Sequence, residues 1–163
     1  MKLNSLSDLY LHDLKDVYNA EQQLLRALPK MAQRASNEEL RSLLENHAEV
    51  TRAQVKRLES IFQSLGEPSG GERCEAMEGL VTEGQELLDA EVQPDVLDAG
   101  LITAAQKAEH YEIAAYGSLR TYARLLRRFD DATLLQETLD EEKQADEQLT
   151  RIAEGFVNTR ALA

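Results

Sequence analysis

The chain has 163 residues and a formal net charge of −12, with 29% charged residues, 5% aromatic residues and no Trp. That length suits one domain over residues 1–163 with a core of its own, and the acidic balance excludes nonspecific nucleic-acid binding, because a phosphate backbone would be repelled. A lone Cys74 excludes an internal disulfide, and neither an apolar leader nor a run approaching ~18 apolar residues occurs, so a soluble, cytoplasmic protein without a membrane partner is expected.

Leu, Ala, Glu, Gln and Arg dominate, while strong β-formers are sparse, which predicts an all-α protein. Apolar periodicity predicts a first long helix over about Ser7–Ala35 and a second over about Asn37–Leu65. Pro29 falls inside the first and should kink it. A glycine-rich connector follows, "GEPSGGERCEAMEGLVTEGQELLDAEVQPD", holding a shorter helix at about Cys74–Ala90. A third long helix is predicted over about Val96–Arg128 and a fourth over about Asp131–Phe156, with Ser7, Ser36 and Asp130 as N-caps.

Connector length sets the topology. The first two long helices, and the last two, are joined by a few residues, so each pair should be an antiparallel hairpin. The link of about thirty residues between the hairpins can travel back along a bundle, leaving the second and third long helices parallel. Two hairpins with one long crossover, carrying a short fifth helix, describe the ferritin-like four-helix bundle.

A helical wheel then places polar residues on the inward stripes. Glu21 is central among Leu14, Val17, Leu24 and Leu28. Glu112 is central on the third long helix, with Glu109 toward one edge, and Glu142 is central on the fourth, with Asp146 one turn on. The second helix offers His47, Thr51 and Gln54 instead. Counting from the turns puts these residues at one level. Ionised carboxylates are almost never fully buried without a partner, so the group must be protonated, salt-bridged or bound to metal. A carboxylate and imidazole set suits iron, manganese or zinc. Tyr111, Tyr116 and Cys74 read as packing residues.

The stretches "LHDLKDVYNAEQQLLRALPKMA", "HAEVTRAQVKRLESIF", "CEAMEGLVTEG", "AAQKAEHYEIAAYGSL" and "ETLDEEKQADEQLT" cover nearly the whole chain. In these stretches it resembles the YciE/YciF family of ferritin-like bacterial stress-response proteins, in its YciF branch. The resemblance implies a ferritin-like bundle, a homodimer, and kinship with di-iron carboxylate proteins. In the ferritin-like pattern the first and third long helices each give a Glu, and the second and fourth each give Glu-x-x-His. Glu21, Glu112 and Glu142 match its acids. The chain departs from it at Ala145, three residues after Glu142, and on the second helix, where Thr51 and Gln54 stand and His47 lies one turn earlier.

The functional expectation is therefore a stress-associated protein with a metal site, of one or two Fe or Mn ions, drawn from Glu21, His47, Gln54, Glu109, Glu112, Glu142 and Asp146. The alternative is a non-enzymatic structural or interaction protein whose buried polar cluster no longer binds metal. A DNA-protecting cage is disfavoured by the acidic charge. Hydrolase signatures such as Gly-x-Ser-x-Gly, or a phosphate-binding loop, do not occur.

Overall fold

The computed structural model describes residues 3–162. Helix α1 spans Leu6–Arg34, α2 Glu38–Leu65, α3 Glu75–Asp89, α4 Pro94–Leu125 and α5 Phe129–Ile152. A π-helical turn at Ala153–Val157 and a short α6 at Asn158–Arg160 continue the last of these. No strand occurs among the described residues, and the expected all-helical class is what the structure has. α1 passes through Pro29 as one helix.

The helix ends shift by a residue or two from expectation, for identifiable reasons. α1 is capped by Ser5, not Ser7. The Ser5 hydroxyl accepts from the Asp8 amide at 3.1 Å, and the Asp8 carboxylate accepts from the Ser5 amide at 3.0 Å. A cap at Ser7 would place Tyr10 where that reciprocal acid is needed. α2 is capped by Asn37, whose Oδ1 accepts from the Leu40 amide at 2.9 Å. Ser36 is drawn away, because its amide and hydroxyl both donate to Asp98, at 2.8 and 2.6 Å. α5 has Arg128 at its N-cap position with no side-chain cap, and Asp130 lies inside the first turn. There its charge favours the positive end of the helix dipole. α2 stops at Gly66, whose φ of 69° is left-handed and costs a residue without a Cβ little.

Side-chain bridges fix the directions. Tyr18 bonds Glu59 at 3.2 Å and Ser36 bonds Asp98, so α1 runs antiparallel to α2 and to α4, the latter pairing continued by Tyr116 with Glu21. Arg151 meets Glu39 at 3.0 Å while Ser64 meets Asp131 at 3.3 Å, which makes α2 and α5 antiparallel. Gln106 to Thr150 at 2.9 Å and Arg120 to Gln136 at 2.7 Å do the same for α4 and α5. It follows that α2 and α4 are parallel across the bundle, as the long crossover requires. α3, within that crossover, packs against α1 and α4.

The core divides into two apolar clusters. One gathers Leu24, Leu28, Leu40, Leu44, Leu101 and Leu149 with their neighbours. The other gathers Tyr10, Leu14, Leu58, Phe62, Leu119 and Leu135. Between them each long helix turns a polar residue inward: Glu21 on α1, Thr51 and Gln54 on α2, Glu112 on α4 and Glu142 on α5, all essentially without solvent exposure. The bundle is thus two greasy halves around one polar layer.

Candidate metal centre

The polar layer arises because each helix spends one turn of its apolar stripe on a polar side chain, and the hairpin lengths bring those turns level. Ligand atoms of His47, Glu109, Glu112 and Glu142 all lie within 4.8 Å of one another. His47 Nε2 is 3.3 Å from Glu109 Oε1 and 3.7 Å from Glu142 Oε2. Glu109 and Glu112, three apart on α4, face the same centre because residues at that spacing share a helix face.

Glu21 stands beside the four. Its Oε1 accepts the Tyr116 hydroxyl proton, and its charge bears on the neighbouring Glu112 carboxyl. Gln54 is a donor to the layer: its Nε2 donates to Glu142 and, at 3.1 Å, to Glu141. The structure does not bring Asp146 into the cluster. One turn on from Glu142 the α-helix has risen about 6 Å, and at that height the α4–α5 seam holds it through Gln106 at 3.0 Å and His110 at 3.3 Å.

Electrostatics make the layer unusual. Burial, then the charge of Glu142, raises the Glu21 carboxyl to about 8. Burial and neighbouring Glu142 hold Glu109 well above the usual carboxylate range. Glu112 is raised in the same way by burial, then by Glu142 and Glu21. The phenol of Tyr116 is likewise pushed up, by burial and by Glu21. Two ionised carboxylates ~4 Å apart repel by about 4 kcal/mol even at an effective dielectric of ~20.

Among the described residues no Lys or Arg forms a salt bridge with Glu21, Glu109, Glu112 or Glu142. His47 is the basic partner, and Arg57 is engaged outside the layer by Glu141 at 2.6 Å and Glu137 at 3.3 Å. Both oxygens of Glu112 and one each of Glu21, Glu109 and Glu142 have no hydrogen-bond partner. Buried acceptors in that state are rare. The set is one that could hold a cation: hard carboxylate oxygens and one imidazole, all turned to one point.

Reading by residue type missed two participants. Tyr116 looks like a packing residue, yet it is the donor to Glu21; its place one turn after Glu112 on the same stripe is the signal. Asp98, at 2% exposure, anchors the α1–α2 turn by accepting from Ser36 and from the Asn37 amide at 2.9 Å. No pattern within α4 announces that role, because its partners lie sixty residues away. Cys74 is fully buried as expected, but it also bonds the Tyr111 hydroxyl at 3.1 Å.

Similarity to known proteins agrees with this fold. The family described as "Domain of unknown function (DUF892)" matches residues 5–162. Protein YciF of Escherichia coli K12 is 43% identical over 162 residues, covering 99% of this chain and 98% of its own. The crystal structure of the E. coli stress protein YciF superposes with a TM-score of 0.92, covering 96% of this chain and 99% of that one. YcfI of Rhodopseudomonas palustris gives 0.88 at 41% identity, over 91% and 95% of the two chains. A protein from Xanthomonas campestris shares the fold at 20% identity and a TM-score of 0.76, over 96% and 95%. The chain belongs to the YciF family of DUF892 proteins.

Proposed function

We propose that this is a ferritin-like, stress-associated metalloprotein that binds one or two iron or manganese ions in the polar layer. His47, Glu109, Glu112 and Glu142 are the ligands, with Glu21 completing the carboxylate set. The observation that carries the reading is the convergence of three buried glutamates on one point with no Lys or Arg among the described residues paired to them. Such a group must take up protons or a cation to be stable in a dry core. Asp146 and Gln54 support the site from outside: Asp146 through its hold on α4, Gln54 by fixing the Glu142 carboxylate. Bound iron or manganese would supply Lewis acidity and one-electron redox capacity. The residues around it would hold the ion, orient it and keep bulk water out.

The relative in E. coli is described as a stress protein. A cytoplasmic homodimer acting in a stress response is part of the same proposal, with exposed Leu125 and Phe129, at 69% and 64%, as the apolar surface available for a partner copy.

The test is anaerobic titration of the untagged full chain with Fe(II) or Mn(II), followed by gel filtration and elemental analysis. Retention of one or two ions per chain, lost in Glu112→Gln together with Glu142→Gln, is the expected result. A protein that retains none, and whose melting temperature ignores both metals, supports the alternative of a structural protein with a proton-sharing polar cluster.

A further inference from the structure

A pocket of about 170 Å³ opens between α1, α3 and α4, and His47 and Glu109 lie in its lining. It therefore leads from the surface to the polar layer. Its walls are mainly apolar, with Leu24, Leu28 and Met77 among those buried deepest. An apolar cavity of about 150 Å³ accepts benzene, so this one fits a single aromatic ring.

Two features bear on how an occupant would sit. Gly84 lies in the middle of α3 on the pocket wall, where glycine costs about 0.5–1 kcal/mol relative to alanine. Packing does not demand it, since an added Cβ would meet only Ala104 Cβ at an ordinary 3.8 Å. At the pocket's inner end, Glu109 is 2% exposed and its Oε2 has no hydrogen-bond partner. That is an acceptor waiting for a donor.

Its charge is asymmetric too. Arg26 and Lys30, one turn apart on the exposed face of α1, line the pocket, and Glu109 is the one acid in that lining. In a chain of net charge −12, a doubly cationic mouth is a local reversal that favours an anion.

We propose that this pocket binds a small phenolic acid. The ring fills the apolar interior, the carboxylate meets Arg26 and Lys30, and the phenolic hydroxyl points to Glu109 and His47. As a substrate site for bound metal it rests on the metal reading above; as a binding site it stands on the pocket alone.

The experiment is calorimetric titration of the full chain, metal-free and Mn(II)-loaded, with 3-(4-hydroxyphenyl)propionate. Saturable binding of one molecule per chain is expected, with 3-phenylpropionate and 4-ethylphenol each at least several-fold weaker. Arg26→Gln with Lys30→Gln, both exposed, should weaken it roughly tenfold. Gly84→Leu should abolish binding, while Gly84→Ala retains both the fold and much of the affinity. Should Gly84→Leu fail to fold, the surface double variant decides. Absence of saturable binding in both forms, or binding indifferent to the hydroxyl, the carboxylate and the two cations, overturns the proposal. Binding that persists in a chain unable to retain metal removes the metal reading and leaves this one. Metal retention without binding does the reverse.

Discussion

Tyr116 on α4 donates its hydroxyl proton to Glu21 on α1, with both side chains fully buried. The bond crosses the bundle between non-consecutive helices and gives one Glu21 oxygen a donor, which partly offsets the burial and the Glu142 charge that raise this carboxyl to about 8. Glu21 Oε2 remains without a partner, and the charge of Glu21 helps to hold the Glu112 carboxyl up, so Tyr116 fixes one oxygen of a carboxyl that borders the centre.

Tyr116→Phe should therefore cost more than its lost hydroxyl. It leaves Glu21 Oε1 with no donor, a penalty of about 1–3 kcal/mol for a buried acceptor. In a chain of this size that lowers the melting temperature by roughly 2–10 °C. The loss should be larger at pH 8.5 than at pH 6, because the bond favours the ionised carboxylate. Thermal melts at the two pH values check this, and an unchanged melting temperature at both would sink it.

Glu112→Gln separates metal ligation from a structural role. The amide keeps the shape and removes a charge from a layer in which Glu142 and Glu21 repel it. In metal-free protein above pH 8, relief of that repulsion should raise the melting temperature, on the order of 5 °C. With Mn(II) or Fe(II) present the order should invert, since the unmutated chain gains stability from metal that binds only its folded form. Melting curves of both variants, with and without metal, read both effects. Destabilisation by glutamine in the absence of metal would instead mark Glu112 as a charge the fold relies on.

How much of this was legible in the sequence depends on the range of the interaction. Helix α1 and its inward Glu21 follow from a 3.6-residue stripe, and the antiparallel hairpins and parallel crossover follow from connector lengths; both are local quantities. Counting back from the turns sets Glu21 level with His47 and Gln54, but it sets Glu112 opposite about residue 148, near Asp146, whereas the structure sets Glu112 with Glu142, about a turn nearer the α4–α5 turn. What also eluded that count was direction at the layer's edge. Asp146 sits on the same stripe as Glu142, yet Gln106 and His110 hold it at the seam. Ser36 has the chemistry of an N-cap, yet Asp98 takes both its donors. In each case a distant side chain competed for the group, and a helical wheel contains no such competitor.

That second competition carries its own prediction. Asp98 accepts three hydrogen bonds from the α1–α2 turn, at 2.8, 2.6 and 2.9 Å. Asp98→Ala leaves the Ser36 and Asn37 amides without their acceptor, which should cost about 2–4 kcal/mol. Asp98→Asn retains one acceptor oxygen and should lose less. Urea unfolding of the three proteins gives the ranking. Equal midpoints for alanine and aspartate would show that water replaces the carboxylate at no cost.

The acid–base behaviour of the metal-free layer gives the last expectation, and its sign runs against the usual one for carboxylates. Glu21 is raised to about 8 by burial and by Glu142, from a starting value of 4.5, and Glu109 and Glu112 are raised by burial and by neighbouring acids. The folded chain therefore holds more protons than the unfolded one between pH 4.5 and 8. Wherever the folded state binds more protons, stability falls as pH rises. The stabilisation from these protonated acids is fully present below the unfolded value and is lost as pH climbs through the folded ones. Metal-free protein should accordingly melt at a lower temperature at pH 8 than at pH 5.5, by on the order of 5 °C. Bound metal replaces the protons as the positive partner, so Mn(II)-loaded protein should lose that slope and gain stability with pH as ligands deprotonate. A metal-free melting temperature that rises steadily from pH 5.5 to 8 would mean that the three glutamates are already ionised and paired, and would remove the electrostatic argument for a cation at their centre.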